Sequence, residues 1–246
     1  MTKSLSNVAL IPARSGSQRI ANKNIFIVNK HPLLSYTIQS ALNSEIFNRV
    51  VCITDSREYA DIAIRYGAYV PKLRPKVTAK STSPDIDWVN WILRLLSKKG
   101  MEFDTFSILR PTSPFRNEST IRRAFKQFKS HKKIDSLRAV ELCKQHPGKM
   151  WKLESKGMQP LINKKINGIF WHSNQTKILP KFYIQNASLE ISWVENVMQN
   201  NSISGKIIAP FITKDYEGFD INYPEDIEIM KYILRNNLAS LPKITS

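Results

Sequence analysis

IPARSGSQRIANKN, running from Ile11 to Asn24, follows the first apolar run of the chain and decides how the rest is read. Val8-Ala9-Leu10-Ile11-Pro12-Ala13 has the unbroken apolar character of a short strand buried on both faces. Beyond the next proline, Leu33 to Leu42 reads as a helix. The loop between them sets Gly16 among Arg14, Arg19 and Lys23, the composition of a backbone-and-cation cradle for phosphate. It lacks the Lys-Ser/Thr ending of a P-loop, and Gly16 alone makes no dinucleotide fingerprint.

Outward from this loop the chain alternates. A strand is expected at Arg49–Thr54, then a helix from Ser56 to Tyr66 with Ser56 as cap, Glu58 in the first turn and Gly67 at its end. A short strand is expected at Ala68–Leu73. Ile86, Val89, Ile92, Leu93 and Leu96 have helical spacing within Asp85–Ser97. Thr105–Leu109 reads as a strand, Ser119–Lys129 as a helix and Ile134–Val140 as a strand. This alternation predicts an α/β fold with a doubly wound, mainly parallel sheet. The regularity breaks from Leu142 to Pro180, which is basic and turn-rich. Strands at Phe182–Trp193 and Lys206–Ile208 and a helix at Pro224–Arg235 close the chain. The expectation is one domain over residues 1–246 carrying an insertion at about 142–180. Ligands of open α/β sheets sit at the carboxyl ends of the strands. Arg14 to Asn24, Thr54-Asp55, Arg74 and Arg110-Pro111-Thr112-Ser113 all fall there.

Composition narrows the classes. The 246 residues are 42% hydrophobic and 23% charged, ordinary for a globular protein. No apolar run approaches the ~20 residues of a membrane span, and the N-terminus has no signal-peptide core, so the cytoplasm is expected. Cys52 and Cys143 offer neither a disulfide framework nor metal-ligand spacing, and Cys52 reads as a small buried residue. The four histidines are scattered, which argues against zinc. The net charge of +17 fits nucleic acid, small anionic substrates or a solvated lysine surface. Between Lys129 and Lys181 there are 12 Lys and Arg against three acids, but no Arg/Lys-rich helix, RNP-type aromatic motif or zinc knuckle accompanies them. Nucleic acid is therefore not the favoured partner.

The opening loop, "LRP" at Leu73–Pro75, "LRPTSPFR" at Leu109–Arg116 and "DINYPED" at Asp220–Asp226 occur in one order. Together they resemble the acylneuraminate cytidylyltransferases, the CMP-sialic acid synthetase family, which activate nine-carbon 2-keto sugar acids with CTP. The resemblance runs from Val8 to about Leu234 and implies a nucleotide-diphospho-sugar transferase-like fold. It implies that Arg14 and Lys23 grip the triphosphate and that Ser15, Gly16 and Ser17 supply backbone N–H groups. Asn24 would lie near the ribose or α-phosphate, Arg74 at the cytosine and Ser83 in the adjoining nucleotide stretch. Family members hold Mg²⁺ with two aspartates one residue apart; Asp220 matches the first and Asn222 stands at the second. An asparagine carbonyl still ligates magnesium but brings no charge. Asp226 reads instead as a charge at a helix N-terminus.

On the acceptor side the resemblance points to Thr112, Gln185 and Asn186, and Arg110, itself a departure from the family, is expected to supply a cation for the acceptor carboxylate. Sialic acid-specific members carry glutamine at the place of Arg110, and arginine where Ile184 stands. These departures leave the identity of the sugar acid open. The family pairs two subunits through its insertion, which implies a homodimer and directs Lys149 toward the partner's acidic substrate. Rival readings are a Kdo-type cytidylyltransferase, a nucleotidyltransferase with another NTP or sugar, and a basic nucleotide- or nucleic-acid-binding protein without catalysis.

Overall fold

The computed structural model describes residues 5–131 and 133–245. Six strands form the main sheet: β1 (Asn7–Pro12), β2 (Arg49–Ile53), β3 (Thr105–Ile108), β4 (Ser136–Leu142), β5 (Tyr183–Trp193) and β6 (Ile208–Ile212). Their order is β6-β4-β5-β3-β1-β2. β1 pairs in parallel with β2, Val8 opposite Arg49, and with β3, Asn7 opposite Thr105. β5 reverses direction against β3, Glu190 opposite Ile108. The six helices are α1 (Leu33–Asn43), α2 (Arg57–Arg65), α3 (Asp85–Lys98), α4 (Glu118–Ser130), α5 (Val194–Asn200) and α6 (Pro224–Arg235).

The apolar run of β1 explains the layering. Alternate strand residues face opposite sides, so Ala9 and Ile11 pack with Leu34 and Ile38 of α1, Ala63 of α2 and Phe125 of α4. Val8 and Leu10 pack with Trp88, Val89 and Ile92 of α3 and Val197 of α5. Both faces of the sheet are covered, and the expected α/β fold with its mainly parallel sheet is the observed one. Local signals set the helix ends. The Ser56 hydroxyl accepts from the Tyr59 N–H (3.4 Å), and the Asn117 side chain accepts from the Thr120 N–H (3.0 Å). Asp226 accepts from the N–H groups of Asn222 (2.7 Å) and Tyr223 (2.8 Å), the helix-capping role read for it above.

Two expectations are corrected, and one helix is added. Ala68–Leu73 is no strand: a single parallel bridge joins Tyr69 to Val51, because Pro71 has no N–H to continue a ladder. The last strand begins at Ile208, not Lys206. The N–H groups of Lys206 and Ile207 instead donate to the Asp135 carboxylate at 2.6 and 2.8 Å. Gly205 (φ +65°) makes that approach possible, since a Cβ there would stand 2.3 Å from that of Asp135. The seven-residue α5 follows β5 directly and carried no readable signal.

The chain divides into two compact units, one formed by the residues up to Ala139 and from Asn186 onward, the other by Val140–Gln185. The second has a hairpin, Trp151–Glu154 against Gly157–Pro160, and a short pair, Lys165–Ile166 with Ile169–Phe170. His146 ties it together. Its Nδ1 accepts from the Gly148 N–H (3.0 Å), its Nε2 donates to the Pro180 carbonyl (2.8 Å), and its ring meets Trp171 and Phe182 edge-on. Among the described residues no helix is long and apolar enough to cross a membrane.

Candidate active site

The chain leaves β1 into the turn that opened the sequence reading. Asp55, just past β2, accepts from the Ser15 N–H at 2.7 Å and from its hydroxyl at 2.9 Å. The Ser15 amide, expected to face phosphate, is thus engaged in pinning the turn to the neighbouring strand end. Gly16 follows with φ +70°. Asn24 is buried and donates to the Arg14 carbonyl (3.1 Å), closing the loop from its far side. The Lys23 ammonium donates to the Ile221 carbonyl at 2.7 Å. Burial lowers the Lys23 pKa, and the nearby Asp220 carboxylate opposes that shift.

A cavity of about 410 Å³ opens over these strand ends. Of the residues picked from the sequence, Arg14, Ser17, Lys23, Asn24, Arg74, Ser83, Arg110, Thr112, Asp220 and Asn222 line it. Ser15 and Gly16 line a second cavity of about 510 Å³, which shares Arg14 with the first. Arg74 is buried to 5% exposure, its guanidinium 5.5 Å from the Trp88 ring and bonded to the hydroxyl (3.3 Å) and carbonyl of Thr78. Burial pushes its pKa down to about 10 against the pull of Asp85, so it remains a cation at neutral pH.

Arg110 is not free to meet a substrate carboxylate with its whole charge. It is ion-paired with Asp85 and lies 3.5 Å from Glu190, which in turn pairs with Arg138 at 3.1 Å. Burial alone would raise the Asp85 carboxyl, but the charge and hydrogen bond of Arg110 and the Trp88 indole N–H hold it below its usual value. The sequence missed these partners because they lie 25 and 80 positions from Arg110 and meet only through the sheet.

Asp220 stands opposite Lys23. One of its oxygens accepts from the Asn222 amide (2.6 Å); the other is buried with no hydrogen-bond partner. Arg19 approaches the Asn222 carbonyl at 3.4 Å. The segment is anchored to the end of β3 by the Ile221 N–H, which donates to the Thr112 carbonyl (2.9 Å). Burial lowers the Arg116 pKa to about 9 with Asp220 opposing the shift, and Asp220 adds a smaller upward pull to that of Asp85 on Arg110, so this carboxylate is surrounded by cations. Arg116, read only as a motif member, is fully buried and is the missed positioning residue of this site.

Three acceptor-side residues, Asn186, Gln185 and Lys149, do not line this cavity. Asn186 donates to the Thr213 hydroxyl (3.0 Å) and accepts from the Ser188 N–H (3.2 Å), while the adjacent Ala187 lines the cavity. Gln185 and Lys149 belong to the second unit. The Lys149 ammonium donates to the carbonyls of His172 (2.9 Å) and Asn174, which binds that unit together rather than presenting a spare charge.

The α/β sheet gathers cations and the carboxylates of Asp220 and Asp85 at its strand ends, and its fold is that of solved nucleotidyltransferases. It matches a solved CMP:2-keto-3-deoxy-manno-octonic acid synthetase complexed with CTP at TM-score 0.67 and 11% identity, covering 94% of this chain and 99% of that one. Sequence narrows the class. Residues 8–175 match the family described as Cytidylyltransferase. The CMP-N,N'-diacetyllegionaminic acid synthase of Legionella pneumophila is 31% identical over 95% of this chain and 98% of its own length. The N-acylneuraminate cytidylyltransferase of Escherichia coli is 38% identical over 54% of this chain and 30% of its own. The chain belongs to the cytidylyltransferase family.

Proposed function

We propose that this protein couples CTP to a nine-carbon 2-keto sugar acid of the sialic, legionaminic or pseudaminic type, giving the CMP-sugar acid and pyrophosphate in the cytoplasm. The end-to-end match to the Legionella synthase carries the reading, since it spans the acceptor half of the chain as well as the nucleotide half. The Kdo-type alternative rests on fold alone at 11% identity.

The acceptor's anomeric hydroxyl would attack the α-phosphorus, and pyrophosphate would leave. Arg14 and Lys23 would hold the triphosphate, Lys23 exchanging the Ile221 carbonyl for phosphate oxygen. Preorganised cations of this kind stabilise the charge that builds on a leaving group. Asp220, through its unpartnered oxygen, and the Asn222 carbonyl would hold Mg²⁺. The bound ion would neutralise phosphate charge. No cluster of three His, Cys, Asp or Glu exists among the described residues, so the phosphates themselves must complete the coordination, as is usual for magnesium.

Pyrophosphate release with CTP, UTP, GTP and ATP, against a panel of nonulosonic acids and Kdo, tests the reading. Turnover confined to CTP and one nine-carbon acid is expected; turnover with Kdo or with UTP alone would replace it.

The homodimer implied by the family resemblance is part of the same proposal. It is supported by the apolar residues Leu153 (81% exposed), Met158 (56%) and Ile169 (52%) on the Val140–Gln185 unit. Sedimentation is expected to give twice the 28.3 kDa chain mass, and Leu153→Lys with Ile169→Lys to shift it toward the monomer. An unaltered mass in the double variant would remove this surface from consideration.

A further inference from the structure

The second cavity brings two further cations beside the turn at Gly16. Besides Arg14, Ser15 and Gly16 it is lined by Lys76 and Lys80, with Asp55 as its one acid. Asp55 is already turned to Ser15. Neither lysine forms an ion pair among the described residues. Lys80 and Arg14 line both cavities, so the two are continuous along one cationic edge.

The loop bearing these lysines is built rather than slack. Lys76–Thr78 is a short 3-10 turn, the Thr78 hydroxyl donates to the Pro75 carbonyl (2.9 Å), and Arg74 grips Thr78 from the main cavity. The Ser83 hydroxyl donates to the Val77 carbonyl at 3.1 Å. A Cβ on Gly16 would meet nothing within 4 Å, so the glycine turn that lines this cavity is bare backbone. A cavity with three cations, one engaged acid and a bare glycine turn suits a compact polyanion.

We infer that the second cavity is a polyphosphate subsite in which Lys76 and Lys80 hold the terminal phosphates of the nucleotide and, after transfer, the released pyrophosphate. The inference rests on the proposed use of CTP. It adds Lys76 and Lys80, at the terminal phosphates, to the Arg14 and Lys23 already assigned to the triphosphate, with Arg14 lining both cavities.

The test is binding of CTP, CMP and inorganic pyrophosphate, by calorimetry at fixed salt, to the wild type, to Lys76→Ala with Lys80→Ala, and to Lys99→Ala. Lys99 is exposed at the end of α3, away from both cavities, and controls for net charge. Each lysine lost from the subsite is expected to weaken CTP and pyrophosphate about tenfold, the scale of a charge-assisted phosphate contact. CMP affinity and the Lys99→Ala protein should be unchanged. Equal losses for CTP and CMP, or none for pyrophosphate, would overturn the subsite. A wild type that binds pyrophosphate through these lysines but no cytidine nucleotide would keep the subsite and remove the cytidylyltransfer reading.

Discussion

Asp220→Ala is expected to lower CTP-dependent pyrophosphate release by about 10³-fold, the scale on which a preorganised electrostatic group contributes to a charged transition state. Asp220 is the acidic residue of the main cavity facing Lys23, and one of its oxygens is buried without a partner. No second carboxylate stands beside it, since Asn222 occupies that place. Losing Asp220 would remove the proposed Mg²⁺ ligand and removes the counter-charge felt by Lys23, Arg110 and Arg116. The reverse change is informative. Asn222→Asp supplies a second carboxylate and is expected to lower the Mg²⁺ concentration for half-maximal rate by about tenfold, given the dependence of cation affinity on ligand charge. Magnesium titrations of the rate check both. An Asp220→Ala protein that keeps more than a tenth of the activity would remove the metal role from this residue.

What could be read from the sequence, and what could not, divides along a physical line. β1 and most of the helices were legible because their signals are local: an apolar run, helical spacing at Ile86 to Leu96, the cap at Ser56 or acids in a first turn. Ala68–Leu73 misled because its apolar content resembles a strand while Pro71 withholds the hydrogen bond a strand needs. α5 has one turn and a half and no cap signal, so nothing local marked it. At the site, residue types at strand ends pointed to phosphate chemistry, and most of those residues do line one cavity. Which charge answers which was not legible. The line Asp85–Arg110–Glu190–Arg138 exists because β5 lies between β3 and β4, an order set by the whole sheet. Lys149 and Ser15 show the same limit from the other side. Their donors were assigned to ligands, but the fold offers them protein acceptors first.

Arg116→Ala is expected to destabilise the protein by about 3–5 kcal/mol, the scale of buried acceptors losing a charged donor together with the void left behind. The side chain is 0% exposed. It donates through Nη1 to the carbonyls of Arg110 (3.2 Å) and Ser188, and through Nη2 to the Thr37 hydroxyl at 2.9 Å. These acceptors lie after β3, on β5 and on α1, so one guanidinium holds three elements at the mouth of the cavity. Two effects compete. Burial pushes the Arg116 pKa down to about 9, with Asp220 opposing the shift, so the group is a cation at neutral pH and costs desolvation that alanine would relieve. Against that, alanine takes the guanidinium donor from the Ser188 carbonyl and the Thr37 hydroxyl, at about 1–3 kcal/mol each, and opens a void, while the Arg110 carbonyl keeps the Ser113 N–H (3.3 Å). The second effect should dominate because Arg116 satisfies several groups at once. Arg116→Lys, a point charge without the planar fork, should recover less than half of the loss. Thr37→Val removes one acceptor and should cost about 1 kcal/mol. Urea unfolding of the three variants measures these differences. Release of pyrophosphate well below the unfolding midpoint separates stability from positioning: in Arg116→Lys a fall in kcat with CTP binding retained is expected, because Arg110 and Thr112 then lose their fixed place. A full kcat in a destabilised Arg116→Lys protein would leave Arg116 a structural residue only.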